Sequence, residues 1–538
     1  MDIFIRVDGQ NFDSTIGDTD ELSTLRGGSR ALLDLPKAVF DFLEKNGYET
    51  MPVFTGASEG LAWVSVEDGR NEASLREAIN KFRREFDTGD LGMVLPYLNF
   101  SFSIINPGNF GDDEKVIQSV CLNSNRIQQY QNFTVDLLGE SDLGKSRPCA
   151  LERKRPATKS FKKGDEELAC SSSVHARHEY GHKLRQQFYD AELGISKADS
   201  EELKAIKTGW KEGDYIIFPD SFEEIIKPSP PLISDKLANK MAVLYMDGNQ
   251  FGSIRGQADG TMDGQRNFST HLKRKRCELL ARILESIKSS AMNFGGGVKA
   301  PIETLLWGGD ELMMVFPAWS AMKILEDLEP WLDGDYWAIE QDGMKYPLHH
   351  AVGLVICNYK TPIRAVKALA RELADSTKDL CSDDNQPLGR HNSYLQYQAL
   401  LGADPPPDLG SFREQLYKTD DPRAFTLPFH KGLFKECLEL IRRFKGYTST
   451  YEGVPYGRLL ELLHRAMGLG LLATDPDLVI YESWRNQATE ELGRYQGGHS
   501  LLELERACTG FCESYPLMPL VHLIQLWEYV DPHQAAVK

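Results

Sequence analysis

An internal repeat constrains the fold of this chain more than any single motif does. Residues 7–12 read Val-Asp-Gly-Gln-Asn-Phe and residues 246–251 read Met-Asp-Gly-Asn-Gln-Phe, each directly after an apolar segment. In both copies the apolar periodicity then predicts a helix, two strands joined by a hairpin, a second helix and a fourth strand. The order β-α-β-β-α-β is that of a ferredoxin-like domain, in which helices cover one face of an antiparallel sheet. The repeat therefore predicts an α+β protein with two ferredoxin-like domains.

The predicted elements divide the chain into four regions. The expected domains are residues 1–110, an irregular and partly helical segment at 111–235, the second copy at 236–398 and a helical region at 399–538. The first copy has predicted strands at 2–7, 51–55, 61–66 and 98–105 and helices near 29–45 and 74–86, where the proline at 36 marks a kink or a later helix start. The second copy has predicted strands at 241–246, 302–307, 312–316 and 350–357 and helices near 268–289, 320–332 and 362–380. Helices predicted at 433–444, 458–467 and 500–511 show no chemistry of their own, and partner binding is their expected role.

The hairpin of the second copy carries the residues best suited to chemistry. Gly308 and Gly309 permit a tight turn and the close approach of a bulky anion, while Asp310 and Glu311 supply hard oxygen ligands of the kind that magnesium and manganese prefer. Taken alone, four such residues favour a solvated hairpin tip. The repeat changes this interpretation, because the strand that ends at Asp247 lies beside the hairpin in a ferredoxin-like sheet. Three converging carboxylates would repel one another unless a divalent cation neutralised them.

Charge and composition exclude several classes of function. Among 538 residues, 61 Lys and Arg oppose 79 Asp and Glu, and the net charge of −18 disfavours indiscriminate nucleic-acid binding. The basic stretches 145–163 and 271–276 are expected to be solvated loop or helix faces rather than binding strips. The chain lacks an apolar run that could span a bilayer, and its N-terminus lacks the basic region of a secretory signal. We therefore expect a cytoplasmic location and no membrane partner.

Cysteines and histidines between the two copies leave a zinc site open. The chain has nine cysteines without a closely spaced framework, which predicts reduced thiols. Cys170 is followed by histidines at 175, 178 and 182, which share one face of a predicted helix. These side chains form either a zinc site or an ordinary surface, and their spacing favours the surface.

In combination, these motifs resemble the large polymerase/cyclase subunit of type III CRISPR effector complexes, which contains two palm domains. The resemblance rests on the paired palms, the strand-end motif Asp247-Gly-Asn-Gln-Phe-Gly252, the Gly308-Gly-Asp-Glu311 hairpin and the segment Ala351-Val-Gly-Leu-Val355 before an alanine-rich helix. In the first palm, Leu25-Arg26-Gly27-Gly28-Ser29 is similar to a Leu-Arg-Gly-x-Ser element of the family. The resemblance covers most of the chain. Its specificity comes from the combination, because a glycine-glycine-acid hairpin is shared with diguanylate cyclases and other nucleotidyl cyclases.

The resemblance implies an enzyme that joins ATP molecules into cyclic oligoadenylate, a second messenger of antiviral defence. Attack of a ribose hydroxyl on an α-phosphate needs in-line positioning and Mg²⁺ or Mn²⁺, and it needs no nucleophilic side chain. By position in the motifs, the implied catalytic residues and metal ligands are Asp247, Asp310 and Glu311. The residues implied to bind nucleotide are Gly308, Gly309, Asn249 and Lys378 in the second palm, and Asp8 with a turn of Arg26, Gly27 and Ser29 in the first. The implied partners are a nucleoside triphosphate and either effector subunits with guide or target RNA, or a second copy of the chain.

The sequence also departs from the family pattern. Asn249 replaces an acid, and Glu311 is one methylene longer than the usual Asp, which leaves the number and identity of the metal ions open. Cys149 and Cys170 stand where the family has a zinc ribbon, but Glu152 and Ser173 occupy the places of the other two cysteines, so zinc is not expected unless the nearby histidines substitute. The chain starts at the first palm strand, without the HD nuclease that many relatives carry there, so DNA cleavage is not expected.

Two alternative functions remain open from the sequence. A cyclic-dinucleotide synthase would share the hairpin but differ in its choice of base, which depends on pocket groups that the sequence does not reveal. A catalytically reduced scaffold subunit would instead bind RNA and partner subunits through its palms and helical region, and Asn249 and the incomplete ribbon favour it.

Overall fold

The computed structural model describes most of the chain in ranges separated by gaps. The described residues are 2–10, 17–56, 58–66, 71–85, 89–106, 119–120, 123–124, 147–163, 166–194, 219–227, 237–258, 261–288, 292–294, 297–299, 301–341, 343–381, 388–400, 402, 405–446, 453–472, 477–495, 515 and 517–530.

Strands and helices alternate through the two repeats, and helices dominate beyond them. The strands are β1 (Asp2–Gln10), β2 (Glu49–Thr55), β3 (Glu59–Ser65), β4 (Asn99–Ile105), β5 (Lys159–Lys163), β6 (Glu166–Cys170), β7 (Lys240–Gly248), β8 (Met292–Phe294), β9 (Gly297–Lys299), β10 (Glu303–Gly308), β11 (Glu311–Pro317), β12 (Ile339–Gln341), β13 (Met344–Tyr346), β14 (His350–Asn358), β15 (Tyr394–Ala399) and β16 (Thr426–Pro428). The helices are α1 (Leu22–Lys45), α2 (Glu72–Glu85), α3 (Ser172–Lys183), α4 (Arg185–Gly194), α5 (Phe222–Ile226), α6 (Phe251–Ala258), α7 (Met262–Lys288), α8 (Ala321–Leu332), α9 (Gly334–Trp337), α10 (Ile363–Lys378), α11 (Leu409–Tyr417), α12 (Leu433–Lys445), α13 (Tyr456–Gly468), α14 (Leu478–Leu492) and α15 (Met518–Leu526).

The two repeats have the same sheet topology. The first palm is an antiparallel sheet in the order β2-β3-β1-β4, and the second palm contains the corresponding order β10-β11-β7-β14. Each copy contains the predicted strands and helices in the predicted order, and the second copy adds α6, α9 and the short hairpins β8–β9 and β12–β13. The α+β class and the paired ferredoxin-like architecture are confirmed. One apolar cluster joins Ile5 and Val39 of the first palm to Val243 and Val366 of the second, so the palms pack against each other.

The first helix starts earlier than the sequence pattern predicts. α1 begins at Leu22 rather than near residue 29, and it continues through Pro36 to Lys45. The carboxylate of Glu21 explains the early start, because it accepts hydrogen bonds from the free backbone N–H groups of Ser23 (3.2 Å) and Thr24 (2.7 Å). The expected turn at residues 26–29 is therefore wrong: these residues lie inside a helix.

The second sheet extends further than predicted. β15 pairs parallel with β14, and β16 pairs antiparallel with β15, in a region where the sequence predicts helices and loops. β16 lies beyond residue 398, where we expected the palm to end. The short β16 segment lacks the length on which a pattern-based prediction depends.

Helices of the C-terminal region pack on the second palm. Phe434 on α12, Leu459 on α13 and Leu523 on α15 share one apolar cluster with Leu325 on α8. The carboxylate of Glu329 on α8 accepts hydrogen bonds from the first backbone N–H groups of α12. The helices predicted at 433–444 and 458–467 are present, whereas 500–511 lies outside the described residues. In the part of the chain that the structure describes, no helix is long and apolar enough to cross a membrane.

Candidate active site

The hairpin of the second palm closes in a two-residue turn. β10 and β11 pair with Gly308 opposite Glu311, which leaves Gly309 and Asp310 as the turn residues. Gly309 has a φ of +56°, a conformation that favours glycine at the first central position of a tight hairpin turn. The backbone conformation thus favours glycine at position 309 before any ligand is considered.

Strand register places a carboxylate of the hairpin beside the strand-end carboxylate. β11 and β7 pair antiparallel with Leu312 opposite Met246. The next position on each strand sets Glu311 opposite Asp247. Because side chains alternate across a sheet, both carboxylates leave on the face opposite to Leu312 and Met246, which is the face that α10 covers.

Gly248 allows the turn to approach the end of β7. A Cβ atom at Gly248 would lie 2.7 Å from the Cβ of Asp310 and 2.7 Å from ring atoms of Phe251. A side chain at this position would therefore push the turn away from the strand end. Glycine here keeps Asp310 close to Asp247.

Burial and repulsion disfavour the charged forms of two of these carboxylates. Burial and the nearby Asp247 raise the pKa of Asp310 from 3.8 to about 6. The same two causes raise the pKa of Glu311, against lowering contributions from Arg371, Tyr245 and Lys378. A site of this kind favours the binding of positive charge.

Two neighbouring side chains hold the carboxylates in place. The Lys378 ammonium at the end of α10 forms ion pairs with Asp247 and, at 2.6 Å, with Asp375. Burial lowers the pKa of Lys378, but the hydrogen bonds to these two carboxylates outweigh it and the net shift is upward. The hydroxyl of Tyr245 donates to Glu311 across 3.0 Å.

A buried arginine supports the turn from below. Arg276 on α7 is 5% exposed, and its guanidinium donates to the carbonyl oxygen of Gly309 across 2.9 Å. Lys273 on the same helix donates to the hydroxyl of Thr55 in the first palm across 2.6 Å. The expectation that residues 271–276 form a solvated helix face is therefore wrong. Lys273 and Arg276 are three residues apart, so the helix turns both towards the protein, whereas the basic composition of the run predicts an exposed face.

A cavity of about 870 Å³ lies between the two palms at the hairpin. Its lining includes six of the predicted residues of the second palm: Asp247, Gly308, Gly309, Asp310, Glu311 and Lys378. The first palm contributes Phe54, Gly56, Ser58 and Glu59, and the helices α6 and α7 contribute Arg255, Gln265 and Phe268 among others. The guanidinium carbon of Arg255 lies 5.4 Å from the centre of the Phe54 ring, so this cation also connects the two walls. A volume of this size is ample for a nucleotide.

The other predicted site residues lie away from the cavity lining. Asn249 is buried and its amide donates to the carbonyl oxygen of Gly389 across 2.8 Å. Arg26 is buried in an ion pair with Glu303, and Ser29 borders a separate, much smaller cavity. Gly27 lies where α1 crosses α3, and a Cβ atom there would approach the carbonyl oxygen of Arg177 to 1.8 Å. In this structure these residues pack and brace the fold.

The first palm repeats the geometry of the site with different side chains. Asp8 lies opposite Glu59 in the register of β1 and β3, as Asp247 lies beside Glu311 in the second palm. A Cβ atom on Gly9 would lie 2.8 Å from the Cβ of Ser58, which repeats the relation of Gly248 to Asp310. Ser58 therefore stands in the place of Asp310.

A guanidinium neutralises the carboxylates of the first palm. Nε of Arg6 lies 3.0 Å from both carboxylate oxygens of Asp8, and one terminal nitrogen lies 3.0 Å from Glu59. Arg6 holds the position on β1 that Tyr245 holds on β7, two residues before the strand-end acid. The sequence showed a single acid in this hairpin but did not show that Arg6 accompanies it.

The donor set of the second palm fits a hard divalent cation, although the ligands are not assembled in advance. Among the described residues, no group of three or more His, Cys, Asp or Glu side chains lies close enough to hold one metal ion. The carboxylate of Asp247 forms an ion pair with Lys378, and that of Glu311 accepts a hydrogen bond from Tyr245. The three carboxylates nevertheless line one cavity, and the raised pKa values of Asp310 and Glu311 show that positive charge would relieve their repulsion.

Among the described residues between the palms, no group of three or more His, Cys, Asp or Glu side chains is close enough to hold a zinc ion. Cys149 and Cys170 are fully buried and free, and burial, followed by the neighbouring Cys149, raises the pKa of the Cys170 thiol to about 11. Glu152 instead joins an ionic network in which Arg155 pairs with its carboxylate at 2.9 Å. His178 stacks on Phe161 at 3.9 Å between ring centres.

Comparison with known proteins identifies the second palm. Residues 240–385 match the family model described as Cas10/Cmr2, second palm domain. This range contains Asp247, the Gly308–Glu311 hairpin and Lys378. Among curated proteins, none matches the chain.

Solved structures share the fold of almost the whole chain. Csm1 of T. onnurineus aligns with a TM-score of 0.54 and 14% identity, covering 98% of this chain and 69% of that chain. The apo Csm1–Csm4 cassette and the same cassette in complex with cA4 each align with a TM-score of 0.50 and 14% identity, covering 98% of this chain and 70% of theirs. The resemblance to the large subunit of type III CRISPR complexes, which the sequence motifs indicated, is confirmed at the level of the second-palm family and of the fold.

Proposed function

We propose, from the premise that residues 240–385 form a palm domain of the Cas10/Cmr2 family, that this chain is a metal-dependent nucleotidyltransferase. In this proposal it joins ATP into a cyclic oligoadenylate. One observation carries the proposal: Asp247, Asp310, Glu311 and Lys378 line a single cavity between the two palms, and so do the two glycines of the hairpin, which have no side chains. The cA4 bound by a relative of the same fold supports this choice of product.

The chemistry asks the protein to position two nucleotides and to manage charge. The oxygen of a ribose hydroxyl forms a bond to the α-phosphorus of a second ATP, the bond to the β-phosphate oxygen breaks, and pyrophosphate leaves while the hydroxyl proton passes to solvent. Asp247, Asp310 and Glu311 would hold Mg²⁺ or Mn²⁺, which supplies stabilisation of the attacking and leaving oxygens. Gly308 and Gly309 leave room for the triphosphate, because neither carries a side chain over the cavity.

Basic side chains on α10 complete the phosphate environment. Lys378 and Arg371 both line the cavity, on the side to which Asp247 and Glu311 point. If Asp247 held a metal ion, it would no longer need Lys378 as its positive partner. The ammonium would then be available to the phosphates, which is the role that the family motif implies for Lys378.

The proposed setting is an RNA-guided effector complex. Solved relatives of the same fold are Csm1 subunits in cassettes with Csm4, which supports partner subunits of that kind for this chain. The helical C-terminal region packs on the second palm through α12, and we propose that it binds such subunits.

Product formation from ATP tests the proposal directly. Incubate the purified chain with labelled ATP or GTP and Mg²⁺ or Mn²⁺, alone and with candidate effector subunits, and separate the products by chromatography. We expect cyclic oligoadenylate from the wild type and a loss of product in the Asp310→Ala/Glu311→Ala variant. A cyclic dinucleotide of guanine as the main product would favour the cyclic-dinucleotide alternative.

A second acid pair on a hairpin provides a matched control. Glu166 and Glu167 are exposed, adjacent acids on β6 and lie outside the cavity. The Glu166→Ala/Glu167→Ala variant should make as much product as the wild type. Equal product from the wild type and the Asp310→Ala/Glu311→Ala variant would contradict the assignment of the hairpin.

The ion pair of Lys378 with Asp247 supports one other candidate function. A lysine that neutralises the strand-end acid is compatible with a scaffold subunit that has lost catalysis and binds RNA and partners instead. No product from any variant under any condition, together with stable assembly with effector subunits, would favour the scaffold.

A further inference from the structure

Glu59 is the point at which the ionic network of the first palm reaches the cavity. Arg6 and Asp8 are 8% and 4% exposed, whereas the side chain of Glu59 is 51% exposed and lines the cavity opposite the second palm. Its charge contributes to the repulsion that raises the pKa of Asp310 and acts on Arg255, so it faces both of these side chains.

Only one oxygen of the Glu59 carboxylate is occupied. Arg6 donates to Oε2 across 3.0 Å, and among the described residues no other hydrogen-bond donor reaches this carboxylate. Arg6 anchors the Oε2 end of Glu59, and Arg6 is itself held by both oxygens of Asp8. Among the described residues, Oε1 is therefore an available acceptor on a side chain that lines the cavity between the palms.

The chemistry of the cavity limits what such an acceptor can bind. A carboxylate repels phosphate, so the triphosphate belongs near Lys378 and the glycines of the other wall. Metal binding is disfavoured at Glu59, because Arg6 already supplies its positive charge and Ser58 replaces the acid that the second palm has in the equivalent place. An anionic acceptor is suited to a neutral donor. ATP offers two kinds, the vicinal hydroxyls of ribose and the amino group of adenine, and an acid that binds the ribose hydroxyl is a recurrent arrangement in nucleotide sites.

We propose that Glu59 is a specificity-determining residue that accepts a hydrogen bond from a ribose hydroxyl of the nucleotide bound against the first palm. This inference rests on the proposed function, since it assigns a role in the same cavity. Arg6 is then a positioning residue for Glu59. The first palm has the same backbone geometry as the site of the second palm, but in this proposal its carboxylate recognises the sugar instead of a metal ion. We therefore expect the position against the first palm to bind ribonucleotides more tightly than deoxyribonucleotides.

The inference is tested by comparing binding after the ribose hydroxyl, the carboxylate charge of Glu59, or both have been removed. Measure by titration calorimetry, with Mg²⁺ present, the affinity of the wild type and of Glu59→Gln for non-hydrolysable ATP and for its 2′-deoxy and 3′-deoxy analogues. We expect the wild type to lose roughly tenfold in affinity when the recognised hydroxyl is removed, and Glu59→Gln to lose much less. The Glu49→Gln variant, an exposed acid at the other end of the same hairpin, should behave as the wild type.

Each outcome separates this inference from the proposed function. Equal losses in the wild type and in Glu59→Gln for both analogues, with cyclic product still formed, would overturn the role of Glu59 alone. A drop in Mg²⁺ affinity in Glu59→Gln without nucleotide would show that Glu59 ligates metal and would overturn it as well. Failure of the wild type to bind any ATP analogue would overturn both.

Discussion

Gly248 and Asp310 touch at the end of β7, where a Cβ atom on the glycine would lie 2.7 Å from the Cβ of the aspartate. Contact this tight forces a movement when a side chain is added, and the nearest neighbours of Gly248 are Asp310 and the ring of Phe251. The position of one catalytic candidate therefore depends on the absence of a side chain at its neighbour.

We expect Gly248→Ala to lower cyclic-product formation by roughly a hundredfold, because a displacement of about 1 Å at a reacting centre costs that much. The fold should persist, since the added methyl group acts at a strand end. Gly256→Ala on α6 is the control, as a Cβ atom there meets nothing within 4 Å. Turnover and circular dichroism of both variants check the prediction, and unchanged turnover in Gly248→Ala would refute it.

Lys378 and a metal ion compete for Asp247, which leads to a prediction about metal binding. We expect Lys378→Met to bind Mn²⁺ more tightly than the wild type in the absence of nucleotide, by roughly tenfold, because the carboxylate loses its cationic partner. The same variant should show a raised KM for ATP. Mn²⁺ titration followed by electron paramagnetic resonance measures the first effect. Lys323→Met on α8, which breaks an ion pair with Asp327 on the surface, serves as the control, and weaker Mn²⁺ binding in Lys378→Met would contradict the competition.

The sequence predicted the topology of the palms and one half of the site. Strand-end Asp247 and the Gly308–Glu311 hairpin could be placed together because the repeat predicts the sheet order, which makes their strands neighbours. Arg6 and Arg276 could not be recognised as part of the site. A buried arginine looks like a surface residue in a pattern of apolar and polar positions, and only the fold shows that its partners are a carboxylate and a backbone carbonyl.

Prediction from local sequence patterns also fails for helices and strands that form through contacts with residues far away in the sequence. The start of α1 was missed because Glu21 is a less common cap than Ser, Thr, Asp or Asn, and its carboxylate is held in place by His178 on α3. The strands at Tyr394–Ala399 and Thr426–Pro428 form because the edge of the second sheet offers them hydrogen bonds. In both cases tertiary contact overrides the weak local preference.

Arg276 should act on the site through the turn that it supports. Replacing it in Arg276→Met leaves the Gly309 carbonyl without its 2.9 Å donor, and we expect a loss of about 1–3 kcal/mol in the free energy of unfolding of the second palm. Arg274→Met on the same helix changes a side chain that is 57% exposed, and it should alter stability by less than about 0.5 kcal/mol. Urea denaturation of both variants gives the comparison. If Arg276 positions the turn, kcat should fall more than KM rises, and equal stability of the two variants would contradict this role.

Glu21 gives the first palm a stability that depends on pH. Burial disfavours its charged form, but hydrogen bonds from His178 and Thr24 outweigh burial and lower its pKa from 4.5 to about 2. A group whose pKa is lower in the folded state stabilises the fold above its unfolded pKa and loses this contribution as the pH falls through the folded pKa. The contribution of Glu21 is therefore complete above pH 4.5 and declines towards pH 2.

We expect Glu21→Gln to reduce the hydrogen-exchange protection of α1 near neutral pH, by an amount corresponding to about 1–3 kcal/mol, because the charged cap and its hydrogen bond with His178 are weakened together. The difference between wild type and variant should shrink as the pH falls below 4.5, since protonation then removes the same charge from the wild type. Glu72→Gln changes a partly exposed acid in the first turn of α2, and this variant should show no such convergence. A difference in α1 protection that stayed constant between pH 7 and pH 3 would mean that the carboxylate charge of Glu21 does not stabilise the start of this helix.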